Sequence, residues 1–347
     1  MSQGTNQVVS PTASVVILNF NGLAFLDRCL DALHGQEVEG GFETILVDNA
    51  STDGSAAHVR EKFPWVQVLE PGQNLGFAAG NNLGFAHARG RYMVMLNNDT
   101  RVRPGWLAAL VAAVESDDRV GAVTSKLLFL DPPGVIQNAG LLVLTDGSGG
   151  DRGFKETDTG QFDLREEVFG ACGAGALYRR QMLDDVGGLD PTFFMYYEDA
   201  DLSWRMRLAG WKVLYEPTAV IDHVHAGSSG EWSPFFTFHV DRNRLFMIIK
   251  NAPPEMVLRT LAHFARISIK NGARTILGRF VSPPAALQRA NLGAGRARIH
   301  VRVVASLAAR LPEMLVKRAR IRHHMRVSDA EVVRWFYPRE LWDARSV

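Results

Sequence analysis

The chain has 347 residues, of which 46% are hydrophobic and 22% are charged, a composition that excludes an intrinsically disordered chain and supplies enough apolar residues for a sizeable core. This length accommodates one large domain with an extension, or two domains. The formal net charge is only +1, and we predict no nucleic-acid partner.

The first hundred residues alternate between short apolar runs and segments with helical spacing. Residues 14–19 (SVVILN) are apolar and bounded by polar residues, which is typical of a buried parallel strand. Residues 22–33 follow with leucines at helical spacing. Strands alternating with helices in this way predict a doubly wound α/β sheet. The same reasoning predicts further strands at 44–47, 66–69 and 92–96 and further helices at 55–63 and 75–88.

Beyond residue 100 the periodicity weakens. We predict a helix at 104–114 and interpret residues 146–160, rich in Gly, Asp and Thr, as a mobile loop. After Pro254 the chain becomes rich in arginine and is predicted to be helical, with Pro312 starting a new helix. The elements predicted between these regions are strands at 169–178 and 212–215 and helices at 182–186 and 201–209.

Charge is divided unevenly along the chain. Residues 251–347 contain 18 Lys and Arg against 6 Asp and Glu, whereas the remainder contains 20 against 31. The division predicts an α/β domain over residues 12–250 and a basic helical extension over 251–347 that faces something anionic.

The basic extension also contains a predicted apolar stripe, through Val303, Leu307, Leu311 and Leu315. One interpretation is docking on an anionic membrane surface, which basic amphipathic helices favour. Packing on the acidic domain and a contact within a homodimer are the alternatives, and we favour the membrane. The basic residues around the stripe are Arg302, Arg310, Lys317, Arg318, Arg320 and Arg322.

The cysteine content and the amino terminus bear on location. Cys29 and Cys172 are too few for a disulfide framework, so a reduced cytosolic setting is expected. Residues 1–11 lack the charged and apolar regions of a signal peptide, and no apolar run approaches the roughly 20 residues that cross a bilayer. We therefore expect a cytoplasmic protein, either soluble or bound at the inner face of the membrane.

Polar side chains cluster where the predicted strands end. Asp48 follows the second strand, and Asn97, Asn98 and Asp99 follow the fourth. Ligands of doubly wound sheets bind beyond the carboxyl ends of the strands. A carboxylate such as Asp48 accepts hydrogen bonds from a base or a ribose, and Asp99 offers oxygen to a hard divalent cation. Capping of the next helix and a polar turn are the structural alternatives.

Two later motifs contain ionisable residues. In YYEDADLSWR, Glu198 and Asp199 enter a helix among aromatic residues, a setting that would raise a carboxyl pKa towards that of a general base. Stabilisation of the helix amino terminus is the structural alternative. In DHVHAGSSG, His223 and His225 alternate and would face the same way on an extended segment. One of these histidines is a candidate metal ligand, although a structural role is equally compatible with the pattern.

Eight segments in order resemble family 2 glycosyltransferases of the GT-A fold, especially the bacterial rhamnosyltransferase-like branch, over residues 14–253. Each segment is weakly specific alone, whereas all eight in this order are highly specific. The resemblance implies a GT-A fold with a mainly parallel, doubly wound sheet over residues 12–250. The segments are SVVILNFNG, ILVDNASTDGS, NLGFAAGNNLG, YMVMLNNDT, FGACGAGALYRR, GGLDPTFFMYYEDADLSWRMRLAGW, HVHAGSSG and RNRLFMIIKNAP.

The resemblance further implies an activity and its central residues. An inverting enzyme of this kind transfers a sugar from a nucleotide diphosphate to a hydroxyl of a glycan or lipid-linked acceptor in cell-surface polysaccharide synthesis. Asp199 would be the catalytic base, with Glu198 beside it. Asp99 would bind Mg²⁺ or Mn²⁺, with His223 completing the metal shell and His225 as the alternative.

Binding residues are implied in the same way. The donor is expected to be dTDP-rhamnose, with UDP-sugars as the alternative, and Asn97 stands where the family often has Asp, which leaves a less negative metal site. A nucleotidyltransferase is disfavoured because NFNG lacks the basic phosphate loop, and a non-catalytic nucleotide-sugar or glycan-binding protein is the third hypothesis. The expected donor-binding residues are Asn19, Asn21, Asp48, Asn74, Gly76, Asn81, Asn97 and Asn98, and the expected acceptor-binding residues are Cys172, Gly173, Tyr197 and Trp204.

Overall fold

A computed structural model describes residues 10–224, 233–277 and 292–345. The strands are β1 (Ala13–Asn19), β2 (Phe42–Asp48), β3 (Val66–Leu69), β4 (Tyr92–Asn97), β5 (Thr100–Val102), β6 (Val120–Phe129), β7 (Ile136–Asn138), β8 (Leu141–Val143), β9 (Gly149–Asp151), β10 (Glu166–Glu167), β11 (Gly175–Arg179) and β12 (Lys212–His223). The helices are α1 (Leu23–His34), α2 (Ser55–Lys62), α3 (Gly76–His87), α4 (Trp106–Glu115), α5 (Arg180–Val186), α6 (Glu198–Leu208), α7 (Pro234–Asn251), α8 (Pro254–Leu277), α9 (Leu292–His323), α10 (Asp329–Val333) and α11 (Arg339–Arg345), with a 3-10 turn at Pro191–Phe193.

A mixed sheet in the order β10-β12-β6-β11-β4-β1-β2-β3 forms the centre of the protein. Strands β1 to β4 are parallel, as predicted, and β6 and β12 form a second parallel pair. Strand β11 lies antiparallel between β4 and β6. Because β1, β2 and β4 run side by side, their carboxyl ends meet at one edge of the sheet.

Side chains alternate between two apolar layers. Val15 and Ile17 of β1 face the layer that contains α1 and α4, whereas Val16 faces the layer that contains α3, α5 and α6. All three residues are fully buried. This two-sided burial explains why the parallel strands are continuously apolar in sequence.

The strands and helices predicted over the first hundred residues are confirmed, with ends that differ by at most two residues. Strand β6 was not predicted, because polar residues interrupt its apolar pattern. Lys126 within it is buried and forms ion pairs with Asp158 and Asp163. The strand predicted at 212–215 extends to His223 through a register shift next to Pro217, a position that tolerates a residue without an N–H.

Three other predictions are corrected. The strand predicted at 169–178 begins only at Gly175, and the loop predicted at 146–160 contains β9, which pairs with β8. Pro312 lies inside α9 rather than at a helix start. Pro312 and Ala308, whose carbonyl loses its usual N–H partner, are both exposed, so the freed carbonyl lies on the solvent side of the helix.

The basic extension packs on the α/β domain. Val303 and Met314 of α9 are buried in apolar clusters shared with α7. Lys317 Nζ lies 2.7 Å from Asp190 Oδ1, and Arg318 Nη1 donates to the carbonyls of Ile249 and Ala252 at 2.7 and 2.8 Å. Within the described residues, no helix is both long and apolar enough to span a bilayer.

Candidate active site

A cavity of about 550 Å³ opens at the carboxyl ends of β1, β2 and β4. Its lining contains five of the expected donor residues together with Asp99, and several aromatic side chains. The lining residues are Leu18, Phe20, Asn21, Gly22, Phe25, Asn49, Asn74, Gly76, Phe77, Asn97, Asn98, Asp99, Phe194, Met195 and Phe235.

Asn19 and Asp48 form a buried polar pair beneath this cavity. Asn19 Nδ2 donates to Asp48 Oδ1 at 2.9 Å, and Asn19 Oδ1 accepts from Asn98 Nδ2 at 2.7 Å. The backbone N–H of Ser51 donates to Asp48 Oδ2 at 3.1 Å. Each carboxylate oxygen therefore keeps acceptor capacity for a ligand, since it has two lone pairs.

The loop after β1 contributes two residues to the cavity, Asn21, which was expected to bind the donor, and Gly22, which was not. Asn21 lines the cavity with φ of 51°, and its Oδ1 accepts from the Thr52 N–H at 2.8 Å. Gly22 was not predicted, although a Cβ there would lie 2.0 Å from Asn98 Nδ2 and 2.5 Å from Asn19 Oδ1. Glycine is therefore required for the loop to approach these amides.

A second group of amides organises the start of α3. Asn49, which sequence reasoning missed, donates through Nδ2 to Asn74 Oδ1 at 2.9 Å and accepts from the Leu75 N–H at 2.8 Å. Asn74 Oδ1 also accepts from the Gly76 N–H at 2.8 Å. Asn81 differs, because its buried Nδ2 donates to the Phe77 carbonyl within α3 and the residue does not line the cavity.

Asp99 and His223 meet at the edge of the cavity. Asp99 Oδ1 lies 3.0 Å from His223 Nε2, and Gln137 Oε1 lies 2.7 Å from His223 Nδ1. A proton on Nδ1, shared with Gln137, leaves the Nε2 lone pair directed at a carboxylate, an arrangement that a cation between the two atoms satisfies. Asn97 Nδ2 lies 3.4 Å from the same Nε2. His225 lies outside the described residues.

Asp99 and His223 are two potential metal ligands at this edge. Among the residues that the structure describes, no group of three or more His, Cys, Asp or Glu side chains could hold a metal ion. Asp222, next to His223, is bound instead to Arg101 and Arg103. A cation at Asp99 and His223 would thus take its remaining ligands from water or from phosphate oxygens.

Asp199 and Glu198 lie in the first turn of α6 and differ in their surroundings. Asp199 Oδ2 accepts from the Gly173 N–H at 3.1 Å and Oδ1 from the Ala200 N–H at 2.8 Å. Burial raises the pKa of Asp199, against these hydrogen bonds. Burial and the Asp199 charge raise the pKa of Glu198 well above its usual range, and Glu198 Oε2 has no partner among the described residues. Burial thus raises the pKa of both carboxyls, and the charge of Asp199 raises that of Glu198 further.

The four expected acceptor-binding residues lie in different surroundings. A Cβ on Gly173 would lie 3.4 Å from Phe77 Cε1 and 3.5 Å from Asp199 Oδ2, which places Gly173 between the cavity wall and the carboxylate. The Cys172 N–H donates to Thr124 Oγ1, and the Tyr197 hydroxyl accepts from the Gly149 N–H at 3.0 Å. The structure places Trp204 elsewhere, 1% exposed in the core, where its ring packs edge-on against Phe169 and Phe336.

The chain is similar in sequence to a known family and to individual proteins. A model of the family described as glycosyl transferase family 2 matches residues 14–187. An uncharacterized protein, y4gI, from Sinorhizobium fredii is 29% identical over 64% of this chain, but the match spans only 25% of that protein's length. An N-acetylglucosaminyl-diphospho-decaprenol L-rhamnosyltransferase from Mycobacterium tuberculosis is also 29% identical, over 62% of this chain and 77% of its own.

A solved structure supports the fold independently. The mannosyltransferase PcManGT from Pyrobaculum calidifontis, in complex with GDP-Man and Mn²⁺, superimposes with a TM-score of 0.52 and 18% identity over 87% of each chain. At this identity the likeness concerns the fold alone, and it confirms the expected GT-A fold with additional carboxyl-terminal helices.

Proposed function

Because this chain belongs to glycosyl transferase family 2, we propose that it catalyses inverting, metal-dependent transfer of a sugar from a nucleotide diphosphate to a hydroxyl acceptor. The observation that carries the proposal is the arrangement of two chemically different groups around one cavity. Asp99 and His223 lie at its polar edge, and Asp199 lies behind Phe77 of its aromatic wall.

The Asp99–His223 pair fits a divalent cation held partly by substrate. It provides one oxygen and one nitrogen ligand 3.0 Å apart, both on side chains that are 10% exposed. A divalent cation bound there would neutralise negative charge on the departing nucleotide diphosphate. Asn97 and Asn98 add neutral amides rather than further negative charge, so the diphosphate would supply much of the anionic ligand field.

Asp199 would act as the general base. The acceptor hydroxyl oxygen attacks the anomeric carbon from the face opposite the diphosphate, its proton passes to a carboxylate oxygen of Asp199, and the bond from the anomeric carbon to phosphate oxygen breaks. A single displacement of this kind inverts the anomeric configuration. The raised pKa of Asp199, caused by burial, makes it a stronger base than a solvated aspartate.

The substrates that fit best are a 6-deoxyhexose donor and a polyprenyl-linked acceptor. The mycobacterial relative's name contains both L-rhamnose and a diphospho-decaprenol acceptor. In this chain, Phe77, Phe194, Met195 and Phe235 form an apolar wall that a methyl group would contact more favourably than a hydroxymethyl group. We therefore propose dTDP-rhamnose as donor and a lipid-linked glycan in cell-wall or cell-surface polysaccharide synthesis as acceptor.

An amphipathic face of α9 fits a lipid-linked acceptor at the inner membrane surface. The predicted stripe is divided, since Val303 is fully buried whereas Leu311 and Leu315 are 38% and 50% exposed. Arg298, Arg302 and Arg320 flank this face, and their like charges disfavour a second copy of the chain and favour an anionic leaflet. The exposed residues, spaced by three and four positions, are Val301, Val304, Ala308, Leu311 and Leu315.

Release of nucleotide diphosphate tests the reaction. Purified protein is incubated with dTDP-rhamnose or a UDP-hexose, with and without a polyprenyl-diphospho-N-acetylglucosamine acceptor, in Mg²⁺, Mn²⁺ or EDTA. We expect acceptor-dependent release that requires the metal, with a β-linked product from an α-configured donor or the reverse. Release without acceptor dependence, retention of configuration, or full rates in EDTA would each contradict the corresponding part of the proposal.

A further inference from the structure

The segment that precedes α6 holds an unusual concentration of backbone strain. Phe194, Tyr196 and Tyr197 have φ of 65°, 71° and 71°, in the left-handed region that side chains other than glycine rarely adopt. A residue in this conformation is strained and persists only where its surroundings enforce it. The enforcing contacts come from α7.

Asn243 of α7 provides those contacts through one side-chain amide. Its Nδ2 lies 2.9, 2.7 and 2.7 Å from the carbonyl oxygens of Phe193, Met195 and Tyr196, and the residue is fully buried. Two N–H groups are thus shared among three carbonyls that all converge on the same nitrogen. Arg242 adds a bond from Nη2 to the Phe193 carbonyl at 2.8 Å.

The strained segment joins the donor cavity to the catalytic carboxylate. The Phe194 carbonyl accepts from the Phe77 N–H at 2.5 Å and the Ala78 N–H at 3.2 Å, which ties it to the first turn of α3. Phe194 and Met195 line the cavity. Asp199 follows two residues after the segment ends at Tyr197, so any shift of the segment moves the cavity wall and the carboxylate relative to each other.

We propose that Asn243 is a positioning residue that sets the location of Asp199 relative to the donor cavity. This inference rests on the proposed function for its catalytic meaning. A carbonyl oxygen only accepts hydrogen bonds, so the three convergent carbonyls require a donor, and an aspartate at this position would repel them. A displacement of about 1 Å at a reacting group costs on the order of 10²-fold in rate.

The test compares Asn243→Asp and Asn243→Ala with Gln36→Leu as a matched control. Gln36 is also a buried amide that bonds to main chain, through Nε2 to the Ala32 and Arg103 carbonyls and through Oε1 to the Leu107 N–H, but it does not touch the segment. We expect kcat to fall about 10²-fold in both Asn243 variants, with nucleotide affinity changed far less. Gln36→Leu should lose thermal stability without losing kcat per folded molecule.

A second measurement is independent of activity. Amide hydrogen exchange at residues 192–199 should accelerate in the Asn243 variants while the rest of α6 stays protected, and should be unchanged in Gln36→Leu. Unaltered exchange there, or a kcat within threefold of wild type, overturns the inference. If wild-type protein transfers no sugar at all, the proposed function fails, and the exchange result alone still decides whether Asn243 holds the segment.

Discussion

The donor edge of the sheet and the carboxyl-terminal extension use charge in opposite ways. At the donor edge, Asp99 lines the cavity, and the neighbouring His223 lies within 3.4 Å of both Asp99 and the neutral amide of Asn97, so this edge is the proposed cation site. In the extension, Lys317, Arg318 and Arg322 reach inward to Asp190, to helix-end carbonyls and to Asp329. An excess of one charge therefore identifies a binding surface only after the charges paired within the protein have been subtracted.

The largest expected effect concerns the carboxylate behind the donor edge. Asp199→Asn removes the proton acceptor and keeps only one of the two main-chain hydrogen bonds, because Gly173 and Ala200 donate to different carboxylate oxygens and an amide has a single acceptor oxygen. Transfer should fall by about 10²–10⁴-fold, the usual contribution of general-base catalysis, with donor affinity retained. Steady-state kinetics and nucleotide titration measure the two quantities. A rate within threefold of wild type at every pH would remove Asp199 from this role and direct attention to Glu198.

The metal ligands are the next way to test the donor edge. Asp99→Ala should abolish the metal dependence of nucleotide binding. It should also lower the turnover rate, because the metal stabilises the transition state by several kcal/mol. Asp117→Ala is the matched control, because Asp117 is paired with Lys212 away from the cavity. Calorimetric titration of nucleotide with and without Mn²⁺ compares the variants. Unchanged metal dependence in Asp99→Ala would show that the edge does not bind its cation through this carboxylate.

One buried lysine of α7, the helix that leads into the extension, pairs with two carboxylates of the α/β domain. Lys250 Nζ lies 2.6 Å from Asp190 Oδ2 and 2.8 Å from Asp201 Oδ2, and all three side chains are buried. Lys250→Met removes a buried cationic partner from both carboxylates, which keep only Lys317 and Arg205, and should lower the free energy of unfolding by about 3–5 kcal/mol. Denaturant titration measures this, with exposed Lys62→Met as a control that should change little. If Lys250→Met lowers the free energy of unfolding only slightly, Lys317 and Arg205 are enough to compensate the charges of Asp190 and Asp201.

The buried Glu198 should make stability depend on pH. Burial and the Asp199 charge raise its pKa well above the unfolded value, so the folded state keeps a proton that the unfolded chain releases. Stability therefore falls as pH rises from the unfolded towards the folded pKa. Glu198→Gln removes the contribution of Glu198 and leaves that of Asp199, whose pKa burial also raises, so its unfolding midpoint should exceed that of wild type increasingly from pH 5 to pH 8. Parallel midpoints for the two proteins across that range would contradict the raised pKa.

The two regions also differ in how far their sequences predict them. The donor edge follows from local pattern, because strands that alternate with helices run parallel and end at one edge of the sheet, where Asp48 ends β2 and Asp99 follows β4. The extension does not, since the partners of Lys317 and Arg322 lie in segments whose packing no periodicity reveals. Gln137 and Asn243 were missed for the same reason. Each is an isolated amide whose role comes from a contact distant in sequence.

The smallest expected effect concerns binding of the extension to a membrane, which would use the basic residues that are not paired within the protein. If the exposed face of α9 docks on an anionic leaflet, each nearby basic residue contributes on the order of 1 kcal/mol, and apolar side chains such as Leu315 add to binding. Protein should float with vesicles containing anionic lipid at low salt, but not with neutral vesicles or at high salt. Leu315→Glu should weaken flotation, whereas Leu164→Glu, at a still more exposed position of the α/β domain, should not. Absence of flotation with anionic vesicles at low salt would reject membrane docking. A wild-type dimer that Leu315→Glu converts to a monomer, by light scattering without lipid, would instead assign the face to a second copy of the chain.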